Sequence, residues 1–490
     1  MTATATQTRV AVDLARVMTS TNFVINNATS SMFVDITKYF KKTCLRNKPR
    51  AVFFSALLLV MSIAASGSTT APVNLKISGD WTVKVSTKAA PAAVTVLQIA
   101  PPTLITVNAE KFASLPIFNP KTSGWAKGAQ LSGIRAQETT TPFLLVPDSL
   151  ELRAGPTATA PLFRRGEDYE IDPQWGTIGR LTTGLIKAGQ PVYASYRHAQ
   201  LRLDAVIRSR TGQIILRPGN SRAAAPQPPS VETGEKLLAH IWLPGQLTKL
   251  TSDNLFPILE TAYPESPKTG PSVAERLTPQ ALKKLKTGER LRILAWGDSV
   301  TDASYLPNPA LERWQEQFVT RLRQRFPRAN IELTTEAWGG RNTASYLHEP
   351  PGSHHNYQEK VIGAKPDLVI SEFVNDAGLK PEQVEERYTK LLTDFQSIGA
   401  EWIILTPHYV RPDWMGLTRE REVDEDPRPY VAGLRTFARE HKIALADAAR
   451  RYGRLWRQGI PHSTIMLNSI NHPNADGMTI FADALMELFP

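Results

Sequence analysis

Two hydrophobic patterns divide the chain. From residue 66 to residue 262, apolar and polar positions alternate in short runs. WTVKV (81–85), VTVLQI (94–99), YEI (169–171), PVYASYRH (191–198), RLDAVIRS (202–209) and GQIILRPG (212–219) are strand-like. Proline and glycine punctuate them, and RTG (210–212) has the composition of a turn between two strands. No helical period occurs between Gly67 and Pro257, so residues 66–262 predict a β-rich, sandwich-like region. The Pro-rich AAAPQPPS (223–230) reads as an extended connector inside it.

Residues 263–276, opening with YPESPKTGPS, predict a linker. Beyond it the pattern changes. RILAW (292–296), IELTTEAW (331–338), DLVISEF (367–373), EWIILTP (401–407) and KIALADA (442–448) are five short β-rich runs. Helical periods lie between them. Leu311, Trp314, Phe318, Leu322 and Phe326 fall on one face, as do Val384, Tyr388, Leu391, Leu392 and Phe395. Tyr430, Leu434, Phe437 and Ala438 share a third face, and Met478, Phe481, Leu485 and Leu488 a fourth. Strand and helix in alternation predict an α/β domain over 277–490, with a parallel sheet of about five strands covered on both faces.

The first 65 residues change how the charge is read. KKTCLRNKPR (41–50) is followed by the uncharged AVFFSALLLVMSIAA (51–65) and then by small, polar residues. A basic region, an apolar stretch and an Ala-rich end predict a secretory signal cleaved near Ala65, and hence an exported protein. The alternative is an uncleaved membrane anchor at 51–65, for which the stretch is short. The whole chain carries a formal charge of +11. Residues 1–65 hold eight basic against two acidic side chains, so cleavage leaves 425 residues at +5. The one cysteine, Cys44, leaves with them, which excludes a thiol nucleophile and a disulfide framework. No basic stripe with interleaved aromatics follows residue 65, so no nucleic-acid partner is expected.

In an open parallel sheet, ligands bind beyond the carboxyl ends of the strands. The residues there are GDSVTD (297–302), GGRNT (339–343), VNDA (374–377), His408-Tyr409 and, before the last helix, NHPN (471–474). A serine, a glycine, an asparagine and a histidine converge on one rim. A serine hydroxyl needs a neighbouring base to become a nucleophile, and a histidine suits that work near neutral pH. Preplaced N–H donors would hold the oxyanion that attack on an ester creates.

These four blocks resemble the SGNH hydrolase superfamily, also called GDSL-type esterases, over roughly residues 285–490. The resemblance implies a flavodoxin-like sheet, with Ser299 as nucleophile and His472 as base. The amides of Ser299 and Gly340 and the side chain of Asn375 would form the oxyanion hole. It implies no metal and no organic cofactor. One departure stands out. The family usually has an acid three positions before the histidine, and here Ser469 occupies that position. Asp476, Asn468 or Ser469 is the expected orienter of His472, unless the domain is inactive.

Asp302, Trp338, His408 and Tyr409 are expected substrate contacts on the rim, with Trp414 as a further aromatic. Asp298 and Asp376 read as backbone and capping residues, and His354-His355 as loop. Residues 411–428 are long enough for a lid. The expected reaction is ester hydrolysis through an acyl-Ser299 intermediate, on an acylated small molecule or polysaccharide. Export and a β-rich partner favour carbohydrate acetyl esters. The alternatives are a general short-chain esterase or lipase and, from another class, a catalytically dead surface or glycan-binding protein. Membrane contact is expected only through an uncleaved signal segment, and oligomeric state is left open.

Overall fold

The computed structural model describes residues 73–87, 94–267 and 269–490. The expected signal segment, residues 1–65, lies outside the described residues. Among the described residues no helix is long and apolar enough to cross a membrane.

Residues 277–490 fold around a five-stranded sheet. We label its strands β1 (Arg290–Gly297), β2 (Asn330–Ala337), β3 (Leu368–Glu372), β4 (Glu401–Leu405) and β5 (Ala444–Ala446). They lie in the order β2-β1-β3-β4-β5, and every pairing is parallel. That is the flavodoxin-like order, whose switch point lies where the chain reverses direction at β1 and β3. Strand β3 reads LVISE and is buried at every position because helices cover both faces.

The main helices are α1 (Trp314–Arg325), α2 (Thr343–His348), α3 (Pro381–Ser397), α4 (Pro429–Glu440) and α5 (Ala475–Glu487). The expected faces of α3 and α4 are buried at Val384, Tyr388, Leu391, Phe395, Tyr430, Leu434 and Phe437. The first expected helix is instead split. Pro309–Glu312 forms a single turn, and the chain breaks at Arg313, with φ −57° and ψ 144°. Leu311 is therefore left 70% exposed, off the face that buries Trp314, Phe318 and Leu322. Trp296 on β1 anchors the core, with Phe373 4.8 Å and Tyr346 5.4 Å away in edge-to-face contact. Fully burying a side chain of this kind contributes about 1.5–3 kcal/mol.

The preceding region is β-rich and antiparallel. Among the described residues it comprises four small sheets of three, four, four and three strands. Among the described residues before Val273, the only helices are single 3-10 turns. The expected hairpin is present, Leu201–Arg208 pairing with Ile214–Arg217 through a turn at Gly212, where φ is +86°. Leu201–Arg208 is buried on both faces rather than one. Its Arg202 and Asp204 survive there as a buried ion pair at 2.8 Å.

The described residues form one compact unit. The stretch read as a linker is strapped to the α/β part. Arg451 pairs with Glu265 at 2.7 Å and its guanidinium lies 4.3 Å over the Tyr263 ring, while just ahead of the stretch Leu259 N–H donates to Arg457 O at 2.7 Å. Its last residues are already helical, in Val273–Leu277. Trp456 of the α/β part packs into the same apolar cluster as Leu203, Trp242 and Phe256.

Candidate active site

Strand β1 ends at Gly297, where a Cβ would lie 2.2 Å from Thr301 Oγ1 and 2.4 Å from the carbonyl of Glu372. Only glycine fits so close an approach. The chain then turns into the single helical turn Ser299–Asp302, capped by the Asp298 carboxylate, which accepts from Val300 N–H at 3.1 Å. This turn lifts the Ser299 hydroxyl into a cleft of about 510 Å³ at the carboxyl ends of the strands.

His472 stands opposite. Its Nε2 lies 3.2 Å from Ser299 Oγ, within reach for proton transfer. Its ring stacks on that of Tyr305 at 4.1 Å and 3°. The other ring nitrogen, Nδ1, lies 2.9 Å from Gln137 Oε1 and 3.1 Å from Glu138 Oε1. The group that orients the base therefore comes from the β-rich region, more than 330 residues earlier in the chain.

Gln137 and Glu138 occupy the tip of a tight turn. Ala136 N–H donates to Thr139 O at 3.0 Å, and Arg135 and Thr140 form a bridge at its base. The turn docks on the histidine loop through Gln137 N–H to Leu467 O, Thr139 Oγ1 to Asn468 O at 2.6 Å, and Thr141 Oγ1 against Ser469 Oγ at 2.6 Å. Burial acts to raise the Glu138 carboxyl. The hydrogen bond and charge of His472, with the Asn468 amide, outweigh it and hold the group below its ordinary value. It is thus ionised at neutral pH, as a partner for a developing imidazolium must be.

The three expected orienters do other work. Asn468 Oδ1 accepts from the backbone of Ile470, Asn471 and His472, at 2.8–2.9 Å, and so shapes the loop. Its amide donates to Glu138 Oε1 at 2.8 Å. Ser469, with φ +57°, binds Thr141 and not the histidine. Asp476 is exposed in the first turn of α5 and makes no contact with His472.

The expected oxyanion donors Gly340 and Asn375 line the same cleft. Gly340 has φ +71°, with open space where a Cβ would stand. Asn375 donates one amide N–H and its backbone N–H to Asp298 Oδ2 at 3.0 and 2.9 Å, which fixes the side chain and leaves its second amide N–H unused. Asn375→Ala is expected to lower kcat about a hundredfold with a smaller change in KM, as loss of one oxyanion donor does. Steady-state kinetics on p-nitrophenyl acetate would check it.

Beneath the serine lie two buried carboxyls. Burial pushes Asp298 up to about 7, against the N–H donors of Asn375 and Val300, with Asp376 adding to the rise. Burial and the neighbouring Asp298 push Glu372 well above the usual range. Asp298 takes three N–H donors, whereas Glu372 takes one hydroxyl, Thr301 Oγ1 at 3.4 Å, and leaves Oε1 bare. Asp298 is the member that ionises first. A raised carboxyl lends stability fully below its ordinary range and loses it as pH climbs towards the folded value. Glu372→Gln is therefore expected to flatten the fall of Tm between pH 5 and pH 8. An unchanged slope in thermal melts would refute this.

Residues 295–480 match the model of the GDSL-like Lipase/Acylhydrolase family. The chain carries a GDSL-type acylhydrolase domain. No curated protein matches the sequence. Among solved structures it is similar to LAE5, an alpha/beta hydrolase enzyme from the metagenome of Lake Arreo, Spain, at 20% identity over 40% of this chain and 93% of that one, with a TM-score of 0.32. It is also similar to CEX, a two-domain esterase active on acetylated mannans, at 19% identity over 43% and 51%, with a TM-score of 0.34. A third is a variant of Axe2, an acetyl-xylooligosaccharide esterase from Geobacillus Stearmophilus, at 18% over 41% and 95%, with a TM-score of 0.33.

Of the expected substrate contacts of the acylhydrolase domain, Asp302 and Trp414 line the cleft. Asp302 Oδ2 accepts from Ser304 Oγ at 2.5 Å. His408 and Tyr409 do not reach it. They are 0% and 1% exposed, because the chain after β4 dives under Tyr452, Phe481 and His462 instead of following the rim. Trp338 packs on His355 at 4.6 Å, and His355 is bound to Glu336 at 2.7 Å. Asp376 is buried on Thr343 Oγ1 at 2.7 Å. The loop 411–428 is pinned and is no free lid. Its Glu420 accepts from Trp242 Nε1 at 3.2 Å and Ser463 N–H at 2.9 Å, and Asp424 accepts from Trp456 Nε1 at 2.8 Å. Among the described residues, no group of three or more His, Cys, Asp or Glu is placed to hold a metal ion.

Trp125, Gln137, Glu138, Thr139 and Tyr305 also line the cleft, and sequence reasoning passed over all five. The only signal for Glu138 was indirect. A serine at 469 meant that the acid had to come from elsewhere.

Proposed function

We propose that the chain is an exported serine esterase that removes short acyl groups, above all acetyl, from carbohydrate. The observation that carries the catalytic part is the relay from Ser299 Oγ through His472 to Glu138, with its 3.2 and 3.1 Å steps. His472 Nε2 takes the hydroxyl proton as Ser299 Oγ attacks the ester carbonyl carbon. The carbonyl oxygen becomes an oxyanion facing the amides of Ser299 and Gly340 and the side chain of Asn375. His472 then gives its proton to the departing alcohol oxygen, and the acyl group remains on Ser299. A water, deprotonated by His472, attacks the acyl carbon, and as the Ser299 Oγ–acyl bond breaks His472 returns that proton to Ser299 Oγ, which frees the acid and restores the serine.

The carbohydrate part of the reading draws support from the cleft. Its aliphatic lining consists of Ile470, among the described residues. Its other apolar surface is aromatic, from Trp125, Tyr305 and Trp414, so the lining offers no run of aliphatic side chains for a long fatty chain and favours a short acyl group. Export rests on the signal-like residues 41–65. The dead-domain reading rested on the missing acid at 469, and Glu138 supplies one from elsewhere.

The test is a panel of p-nitrophenyl acetate, p-nitrophenyl laurate and O-acetylated xylo- and manno-oligosaccharides. Turnover of the acetylated sugars by the full exported protein supports the proposal. Turnover confined to the laurate ester would replace it with a lipase.

A further inference from the structure

The cleft has an aromatic wall built from both parts of the chain. Trp125 comes from the β-rich region, in the turn Gly124–Ala126, and Trp414 from the turn Pro412–Met415 that follows β4. Their rings lie 5.8 Å apart at 43°. Trp125 is held from behind, and Trp414 leans on it. Trp125 meets Trp175 edge-to-face at 4.8 Å, and the Arg411 guanidinium covers Trp175 at 4.9 Å. Arg411 is fixed in turn by Asp413, at 2.8 Å from its second nitrogen. Trp414 nonetheless leaves 48% of its surface open. Indole surface kept exposed on a rigid backing, at the mouth of a reacting cleft, is costly unless something covers it.

We propose that Trp125 and Trp414 form a subsite for a pyranose ring, the alcohol half of the ester. This rests on the acyl-carbohydrate reading above and goes beyond it by placing the sugar. The chemistry of the wall and its surroundings points to one occupant. A sugar ring has a C–H face that packs flat on an indole and a rim of hydroxyls that needs polar partners. The same cleft supplies both, with Asp302, Ser304 and Asn471 lining it beside the tryptophans. Asp302 and Ser304 already bond to each other, and a purely aliphatic alcohol would cover the rest of their hydrogen-bonding capacity, and that of Asn471, without replacing its water partners, at a cost. The subsite also gives the β-rich region a second role. It orients the base through Glu138 and receives the substrate through Trp125.

The experiment compares wild type, Trp414→Ala and Trp414→Phe on O-acetylated xylo-oligosaccharide and on p-nitrophenyl acetate. Trp414→Ala is expected to raise KM for the acetylated oligosaccharide about tenfold, the size of one lost aromatic contact, and to lower kcat/KM on it several times more than on p-nitrophenyl acetate. Trp414→Phe should recover most of that loss. A second measurement uses the Ser299→Ala protein and titrates unacetylated xylo-oligosaccharide by calorimetry, where adding Trp414→Ala should weaken binding by a similar factor. An equal fall on both substrates would make Trp414 a structural residue and overturn the subsite, as would an unchanged KM for the oligosaccharide. If wild type cleaves p-nitrophenyl acetate but no acetylated oligosaccharide, the carbohydrate reading fails and takes the subsite with it. If wild type cleaves both and Trp414→Ala matches it, the subsite alone fails.

Discussion

Ser299→Ala is expected to abolish turnover of every acyl ester, a fall of at least about 10⁴-fold in kcat. The reason is chemical, not structural. The Ser299 hydroxyl is the proposed nucleophile, and it lies 3.2 Å from Nε2 of the proposed base His472. The turn that presents it is held by Asp298, and that carboxylate bonds to Val300 and Asn375 rather than to the serine side chain. Alanine at 299 leaves those bonds in place, so Tm should stay near the wild-type value. A loss of activity accompanied by unfolding would not count as support, and thermal melts alongside the kinetics separate the two.

Glu138→Ala carries the second large effect, and it is the more telling one. Removing the buried acid of a serine triad costs about 10⁴-fold in kcat. Glu138 is 45% exposed, so solvent screens its charge, and Gln137 Oε1 remains as an acceptor for Nδ1. The expected loss is therefore smaller, about a hundredfold in kcat. Removing both side chains, Gln137→Ala with Glu138→Ala, should bring it near the 10⁴-fold of a full triad loss. Asp476→Ala should leave activity unchanged, since that carboxylate is exposed and does not touch the histidine. Kinetics on p-nitrophenyl acetate for these variants decide between the two acids. A large effect at 476 with none at 138 would reverse the assignment.

The β-rich region has a further meaning on this account. Its turn 136–139 is bound to the loop 467–472 by backbone and side-chain hydrogen bonds, and the docking fixes both the acid and the loop that carries the base. Asn468 joins the two, since one side chain ties the backbone of His472 and the carboxylate of Glu138. Residues 277–490 do not contain Glu138 or Gln137, so full activity is expected to need the region ahead of them.

Much of the α/β domain was legible because its signals are local. The five apolar runs and the faces of α3 and α4 follow from periodicity. The switch-point rule gathered the loops after the strands on one rim, and the family resemblance picked Ser299, Gly340, Asn375 and His472 from them and from the loop before the last helix. The misreadings have physical causes. Arg313 breaks a helix whose apolar spacing continues through it, so Leu311 was assigned to a face it does not join. His408 and Tyr409 follow a strand, as rim residues do, but the chain turns inward there. Strand Leu201–Arg208 carries charges that suggest an open face, yet Arg202 and Asp204 neutralise each other in the interior. Glu138 itself was not legible, beyond the hint that Ser469 stands where the family has an acid. Its partner lies 334 residues away, from 472 to 138, and no local spacing encodes a contact made by docking two folded regions.

The most direct test of the central claim is covalent labelling with diisopropyl fluorophosphate, followed by mass spectrometry. One phosphoryl adduct per chain is predicted, on the peptide containing Ser299. It should be absent in Ser299→Ala and formed about a hundredfold more slowly in Glu138→Ala. An adduct elsewhere, or labelling of Ser299 at the wild-type rate without Glu138, would contradict the account.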